Sequence, residues 1–180
     1  MSGYTFIFDA YIESLVFSFQ SKTLTQIMLF VSTLVGPQIL PIFAVLVSVA
    51  LIFKKHLAHA VIFAASLSLG VVSNVAIKTF MKIDRPIFTS IDVFGWSYPS
   101  GHTTVATVIL ALVAIFLTNT AHGAYKLSIW LGALVSISAV ALSRVYLGAH
   151  FFSDTLGGVF LGLAIVFLSL VLLRRLQSVE

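Results

Sequence analysis

The stretch from Ser143 to Asp154, SRVYLGAHFFSD, places an arginine, a histidine and an aspartate close together in a strongly apolar chain. Ionisable side chains are costly in a bilayer, so such a group marks a functional site. His150 and Asp154 are four residues apart, which on a helix would put them on one face. An imidazole backed by a carboxylate, with the Arg144 guanidinium nearby, suits attack on an anionic group.

Two further polar stretches interrupt the apolar sequence and supply cations and a turn before a helix. They read Lys78-x6-Arg85-Pro86 and Tyr98-Pro99-Ser100-Gly101-His102. A phosphoryl group spreads charge over its oxygens in the transition state, so fixed cations and N–H groups directed at it lower the barrier. The two arginines can each bind two oxygens, and Lys78 supplies a point charge. Ser100 and Gly101 stand where free N–H groups and the helix dipole favour an anion.

The two histidines of these stretches suit complementary steps. One nitrogen of His150 can attack phosphorus while Asp154 accepts a hydrogen bond at the other and fixes the tautomer. His102 can protonate the leaving oxygen and later activate water. The three stretches together therefore predict a phosphate site.

The bulk composition predicts an integral membrane protein of one domain, residues 1–180. Hydrophobic residues make up 59% of the 180 residues and charged residues only 9%, against about 25% charged in soluble domains. Mean hydropathy is +1.11. The net charge of +4 does not indicate nucleic acid as a partner, because the basic residues lie in small groups between apolar segments. The chain has no cysteine, which excludes thiolate chemistry.

Apolar periodicity and polar interruptions predict an all-α, polytopic transmembrane bundle. We expect an N-terminal amphipathic helix over residues 4–20, either interfacial or packed on the edge of the bundle. The five predicted spans are 24–53, 58–77, 102–117, 127–142 and 155–173. Gly36-Pro37 and Pro41 are expected to kink the first span or end a first part of it. Ser66-x3-Gly70 and Gly158-x3-Gly162 are small-residue packing faces.

The distribution of lysine and arginine predicts which side of the membrane carries the polar stretches. Each side has five such residues in a raw count. If Lys78, Arg85 and Arg144 are reserved for chemistry, five remain against two, which puts the Lys54-Lys55 side in the cytoplasm. The predicted site then lies on the extracytoplasmic face of the cell membrane.

The three stretches resemble the three signature motifs of the type 2 phosphatidic acid phosphatase family, membrane lipid phosphatases related to vanadium haloperoxidases. The family pattern is Lys-x6-Arg-Pro, then Pro-Ser-Gly-His, then Ser-Arg-x5-His-x3-Asp. Residues 78–154 match it in order and without a gap. Three ordered motifs are far more specific than one. Members usually have six spans, whereas five are predicted here.

The resemblance implies a mechanism and a set of site residues. It implies that His150 forms a phosphohistidine, that Asp154 orients His150 and that His102 serves the leaving group. The residues implied to hold the phosphate are Lys78, Arg85, Ser100, Gly101 and Arg144. It also implies that neither a metal nor another cofactor is needed.

The substrate implied is a lipid phosphate or diphosphate: phosphatidylglycerophosphate, phosphatidic acid or a polyprenyl diphosphate. Family forms that act on polyprenyl carriers often have Asp at the position of Gly101, so the glycine here favours a glycerolipid or broad specificity. The oligomeric state stays open. Two other readings of the sequence are a vanadium-dependent haloperoxidase, which the spans count against, and a transporter of anionic lipids or phosphate. A transporter would be supported by inverted repeats, which the sequence does not show convincingly.

Overall fold

The structure, a computed structural model, describes residues 7–34, 36, 39–119 and 122–177. In these ranges the chain forms seven helices and no strand, which confirms the all-α prediction. The helices are α1 (Ile7–Ser18), α2 (Lys22–Leu34), α3 (Leu40–Phe53), α4 (Leu57–Met81), α5 (Gly101–Thr118), α6 (Ala124–Tyr146) and α7 (Phe152–Gln177).

Four of the described helices, α4 to α7, are long and apolar enough to cross a membrane. They coincide with the predicted spans 58–77, 102–117, 127–142 and 155–173, and each helix extends beyond the predicted limits. The extensions hold the polar and charged residues at the helix ends together with a few apolar ones, and hydropathy alone does not assign such ends to a span. The multi-pass architecture is therefore confirmed.

The predicted first span, 24–53, is two helices instead of one. α2 has 13 residues and α3 has 14, and neither reaches the roughly 20 residues that a bilayer core requires. Pro41 lies in the first turn of α3, where its missing N–H is not needed. The break falls at the Gly-Pro interruption, so the count of five spans is not confirmed.

α5 lies at the centre of the bundle and contacts α4, α6 and α7. Its apolar side chains, among them Ile109 and Leu112, form the buried core with residues of α4 and α7. Gly158 and Gly162 let α7 approach α5 closely: a Cβ at Gly158 would lie 2.7 Å from the Ser100 carbonyl oxygen. The predicted small-residue face thus fixes the start of α7 against the start of α5.

α1 covers residues 7–18 of the predicted N-terminal helix, while residues 4–6 lie outside the described ranges. Its acidic side faces the protein and its apolar side is exposed. Asp9 is 2% exposed, whereas Phe8 is 56% and Phe17 is 60% exposed. α1 packs on α6 and α7, as in the bundle-edge alternative.

Candidate active site

Four helix ends and one long connection bring the predicted residues to the same end of the bundle. Lys78 lies in the last turn of α4, His102 in the first turn of α5, Arg144 near the end of α6 and Asp154 in the first turn of α7. Arg85 lies in the connection between α4 and α5. Contacts of α5 and α7 with each other and with α4 and α6 hold these ends together.

His150 lies in a tight turn between α6 and α7. The N–H groups of Ala149 and His150 donate to the Arg144 carbonyl oxygen at 3.0 and 3.3 Å, which closes the end of α6. Gly148 has φ +67° and lies against the backbone of Phe88. A glycine is required here both for the left-handed backbone and for the close approach of the loop.

Replacing Gly148 by alanine is expected to displace this turn and lower the stability of the protein. The added Cβ would overlap the Phe88 carbonyl oxygen and would also strain the positive-φ backbone. Gly123 is the matched control, because it has φ +56° with nothing within 4 Å of the added Cβ. In detergent, Gly148→Ala should lower the midpoint of thermal unfolding clearly more than Gly123→Ala. Equal midpoints would show that the Phe88 contact does not constrain the turn.

Asp154 lies beside His150 because it caps the N-terminus of α7. The sequence had predicted instead that both residues lie on one face of the same helix. His150 precedes α7 instead of lying on it, so the predicted helical pairing is wrong. Asp154 instead accepts a hydrogen bond from the Phe151 N–H at 2.8 Å, as the third residue of a helix does in a capping box. This brings Asp154 Oδ2 to 3.4 Å from His150 Nδ1.

The partners of the His150 ring indicate one tautomer. Nε2 lies 3.3 Å from Nη1 of Arg85, and a guanidinium can only donate, so Nε2 is the unprotonated nitrogen. Nδ1 then carries the proton and faces Asp154 Oδ2 and, at 3.3 Å, Ser97 Oγ. The free electron pair of the ring is therefore on the nitrogen that faces the cations.

Ser97 is a site residue that sequence reasoning missed. It is fully buried, and its hydroxyl donates to Asp154 Oδ2 while lying beside His150 Nδ1. It donates to the same carboxylate oxygen as the Phe151 N–H and so helps to fix the carboxylate. Its signal in the sequence was a serine directly before the Tyr98-Pro99-Ser100 run, which is weak on its own.

Arg85 and Lys78 hold the connection over the site. Arg85 donates to the carbonyl oxygens of Gly95, Phe94 and Ala149 at 2.9, 3.0 and 2.6 Å. Lys78 Nζ donates to the carbonyl oxygens of Trp96 and Ser97 at 2.7 and 2.8 Å. Arg85 thus contacts His150, and both cations order the loop that carries Ser97.

Arg144 is 5% exposed and is held by a second residue that the sequence did not single out. Its Nη1 donates to Ser32 Oγ of α2, which is itself 6% exposed. Its Nε is buried and has no hydrogen-bond partner among the residues that the structure describes. A buried N–H without an acceptor is costly, and an anion bound here would satisfy it.

Ser100 caps the N-terminus of α5. Its side chain accepts hydrogen bonds from the Thr103 N–H at 3.5 Å and the Thr103 hydroxyl at 3.0 Å. Its own N–H donates to the Asp154 carbonyl oxygen at 2.9 Å, which ties α5 to α7. Gly101 and His102 follow, and as the first residues of the helix their N–H groups have no intrahelical acceptor.

Asn74, one turn before Lys78 on α4, supports this turn from behind. It is 5% exposed, and its Nδ2 donates to the Pro99 carbonyl oxygen at 3.2 Å and to Thr104 Oγ1 at 3.1 Å. A Cβ at Gly101 would lie 3.3 Å from Asn74 Oδ1. An asparagine within an apolar span is costly unless its amide is hydrogen-bonded. Its presence in the sequence of α4 was therefore a signal of a structural or functional role.

His102 lies within electrostatic reach of Arg144, His150, Arg85 and Lys78. The second histidine therefore shares the site with the first and with all three cations. Every residue that the sequence predicted for the site is present at this end of the bundle. Their individual roles remain predictions.

Burial keeps His150 neutral over most of the pH range. It lowers the pKa of His150 to about 4, and the hydrogen bond with Asp154 opposes that shift. A neutral imidazole retains the electron pair on Nε2. No group of three or more His, Cys, Asp or Glu side chains that could hold a metal ion occurs in the described ranges.

Comparisons with known proteins agree with this geometry. The sequence model of the PAP2 superfamily matches residues 10–178. Phosphatidylglycerophosphatase B of Bacillus subtilis (strain 168) is 36% identical over 98 residues, which are 53% of this chain and 48% of that protein. The chain thus spans about half the length of this curated relative.

Two solved structures share the fold. The crystal structure of a transmembrane PAP2 type phosphatidylglycerolphosphate phosphatase from Bacillus subtilis has a TM-score of 0.86 at 25% identity, over 93% of this chain and 85% of that one. Aquifex aeolicus LpxE has a TM-score of 0.77 at 22% identity, over 94% and 99% of the two chains. The family model covers nearly the whole sequence and the ordered motifs meet at one site, so the chain belongs to the PAP2 superfamily.

Proposed function

We propose that this protein is an integral membrane lipid phosphatase that hydrolyses a phosphomonoester or diphosphate of a lipid through a phosphohistidine. The observation that carries the proposal is the placement of the His150 ring, with Nε2 3.3 Å from Arg85 Nη1 and Nδ1 beside Asp154 and Ser97. A nucleophile oriented in this way, among fixed cations, suits phosphoryl transfer.

In the first step, Nε2 of His150 attacks phosphorus and the bond between phosphorus and the lipid oxygen breaks. The cations Arg85, Lys78 and Arg144 stabilise the phosphoryl oxygens, and Nε of Arg144, which has no acceptor among the described residues, can donate to one of them. The leaving oxygen takes a proton from His102. The imidazolium formed at His150 is stabilised by the Asp154 carboxylate.

In the second step, water attacks the phosphohistidine and the bond between phosphorus and Nε2 breaks. His102, now neutral, takes the proton from this water, and inorganic phosphate leaves. The N–H groups of Gly101 and His102 lie at the N-terminus of α5, which is the positive end of the helix dipole. This helix end therefore favours binding of the anionic phosphate. Ser100 holds that helix end as its cap and retains a hydroxyl proton that it can donate to phosphate.

We place this site on the extracytoplasmic face. The support is the excess of lysine and arginine at the opposite end once the site cations are set aside. Among the substrates, a glycerolipid such as phosphatidylglycerophosphate or phosphatidic acid is favoured over a polyprenyl diphosphate. Gly101 supports this choice, because family forms that act on polyprenyl carriers often have an aspartate at that position.

The purified protein in detergent should release inorganic phosphate from at least one member of a panel of phosphatidylglycerophosphate, phosphatidic acid and a polyprenyl diphosphate. EDTA should leave the rate unchanged if no metal takes part. Orthovanadate should inhibit, because it resembles five-coordinate phosphorus. A folded protein that releases no phosphate from any of the three lipids, or one that EDTA inactivates, would overturn the proposal.

A further inference from the structure

A cleft lies between α1 and the turn that carries His150. His150 lines one side of it, and Asp9, Glu13 and Gln20 line the α1 side. The cleft adjoins the nucleophile and most of its lining is apolar. Its charged lining residues are two acids, opposite in sign to the cluster of Lys78, Arg85 and Arg144. None of the proposed steps uses its α1 wall.

α1 is fixed firmly enough to form the wall of a site. Asp9 accepts hydrogen bonds from the Ser153 N–H at 2.9 Å and the Ser153 hydroxyl at 2.6 Å, at the start of α7. The Phe8 ring packs edge-on against Phe152, with ring centroids 5.6 Å apart. These contacts join α1 to the residues directly after His150.

The far end of α1 is attached to the same region of the structure. The Phe17 ring packs against Phe88, with ring centroids 6.1 Å apart. Beyond the helix, Gln20 Nε2 donates to the Tyr146 carbonyl oxygen at 3.3 Å. α1 is therefore held at both ends across the turn, and Glu13 lies between the two attachments.

Of the two acids on the α1 side of the cleft, Glu13 is the one that can bind a ligand. The Asp9 carboxylate is engaged by Ser153, whereas Glu13 lies in the cleft. Burial, and the nearby Asp9 charge, raise the pKa of the Glu13 carboxyl. A partly buried acid beside a second acid disfavours an anion as its neighbour and favours a hydrogen-bond donor or a cation.

We infer that this cleft is a headgroup subsite that receives the part of the lipid beyond the reacting phosphate, and that Glu13 makes it select hydroxyl or amino groups against a second phosphate. The inference rests on the proposed phosphatase function. The reacting phosphate lies among the cations at His150, and the next group of the headgroup enters the acidic cleft. A glycerol hydroxyl is a donor to Glu13, whereas the second phosphate of a diphosphate is repelled.

The test compares two substrates that differ only in the second phosphate, a prenyl monophosphate and the prenyl diphosphate with the same hydrocarbon chain. Glu13→Gln keeps the shape of the side chain and removes its charge. We expect this variant to raise the ratio of kcat/KM for diphosphate over monophosphate about tenfold. Glu13→Lys should raise the ratio further. It gives a second measurement of the same ratio if Glu13→Gln folds poorly.

Asp92→Asn is the matched control, because Asp92 is an exposed loop acid that does not line the cleft. Its ratio should stay within about twofold of the unmodified protein, as expected for a screened surface charge. An unchanged ratio in both Glu13 variants, or an equal change in Asp92→Asn, would overturn the inference while leaving the phosphatase function intact. If the unmodified protein hydrolyses neither prenyl substrate nor any lipid phosphate of the panel, the function and the inference fail together.

Discussion

His150→Ala is expected to reduce phosphate release by about a thousandfold or more, because it removes the atom that attacks phosphorus. The surrounding cations would still bind the lipid, so the loss should appear in kcat with a much smaller change in KM. The measurement is initial-rate release of phosphate from the preferred lipid. Substrate labelled in its phosphoryl group should also leave label on the unmodified protein after an alkaline quench, and none on His150→Ala.

His122→Ala is the control for this experiment. His122 is an exposed histidine before α6, at the opposite end of that helix from Arg144, and its loss should leave the rate unchanged. Thermal unfolding of both variants in detergent shows whether the fold is intact. A folded His150→Ala protein that retains more than a few per cent of activity would refute His150 as the nucleophile.

The spans of the second half of the chain were predictable because hydropathy there is unambiguous. Residues 58–77 and 155–173 are long apolar runs with polar residues at their ends, and α4 and α7 follow them closely. The region 24–53 was different, because its apolar run continues through Gly36. Gly36 and Pro37 in the sequence allow a break in this segment. The helix is divided because its two halves pack on different neighbours, α2 on α6 and α3 on α4.

The ordered motifs identified the members of the site, although they did not give its hydrogen bonds. The four-residue spacing of His150 and Asp154 predicted a helical pair, whereas a turn and a cap produce the contact. Ser97 and Ser32 were missed because serines are common, and only the fold brings them to Asp154 and Arg144. Such contacts depend on the packing of distant segments, which residue spacing does not record.

The orientation of α1 could not be predicted from its own pattern. Its acids and apolar residues separate onto two sides in the sequence, and that pattern does not say which side meets protein. Hydrogen bonds from Ser153 draw Asp9 inward, and the apolar side, including Phe8, is left exposed. In a membrane, exposed apolar side chains are compatible with lipid, so the usual rule that the polar side faces outward does not apply.

Asp154→Asn is the second large prediction, and we expect it to lower kcat by about a hundredfold to ten-thousandfold. Oδ2 of Asp154 meets three donors: the Phe151 N–H, the Ser97 hydroxyl and the Nδ1 proton of His150. An amide offers one oxygen and one NH₂ group in their place. If the NH₂ group faces Nδ1, the ring must move its proton to Nε2, and the attacking nitrogen is then blocked.

The pH profile and the split between kcat and KM distinguish this orienting role from phosphate binding. The Asp154 hydrogen bond raises the pKa of His150 against the larger lowering by burial, so its loss should lower that pKa below about 4. His150 then stays neutral to lower pH, and the acid limb of kcat/KM should move down. Asp92→Asn, the same change on an exposed loop acid, should alter neither quantity. A raised KM with unchanged kcat in Asp154→Asn would instead assign the carboxylate to substrate binding, because the chemical step would not depend on the tautomer that it selects.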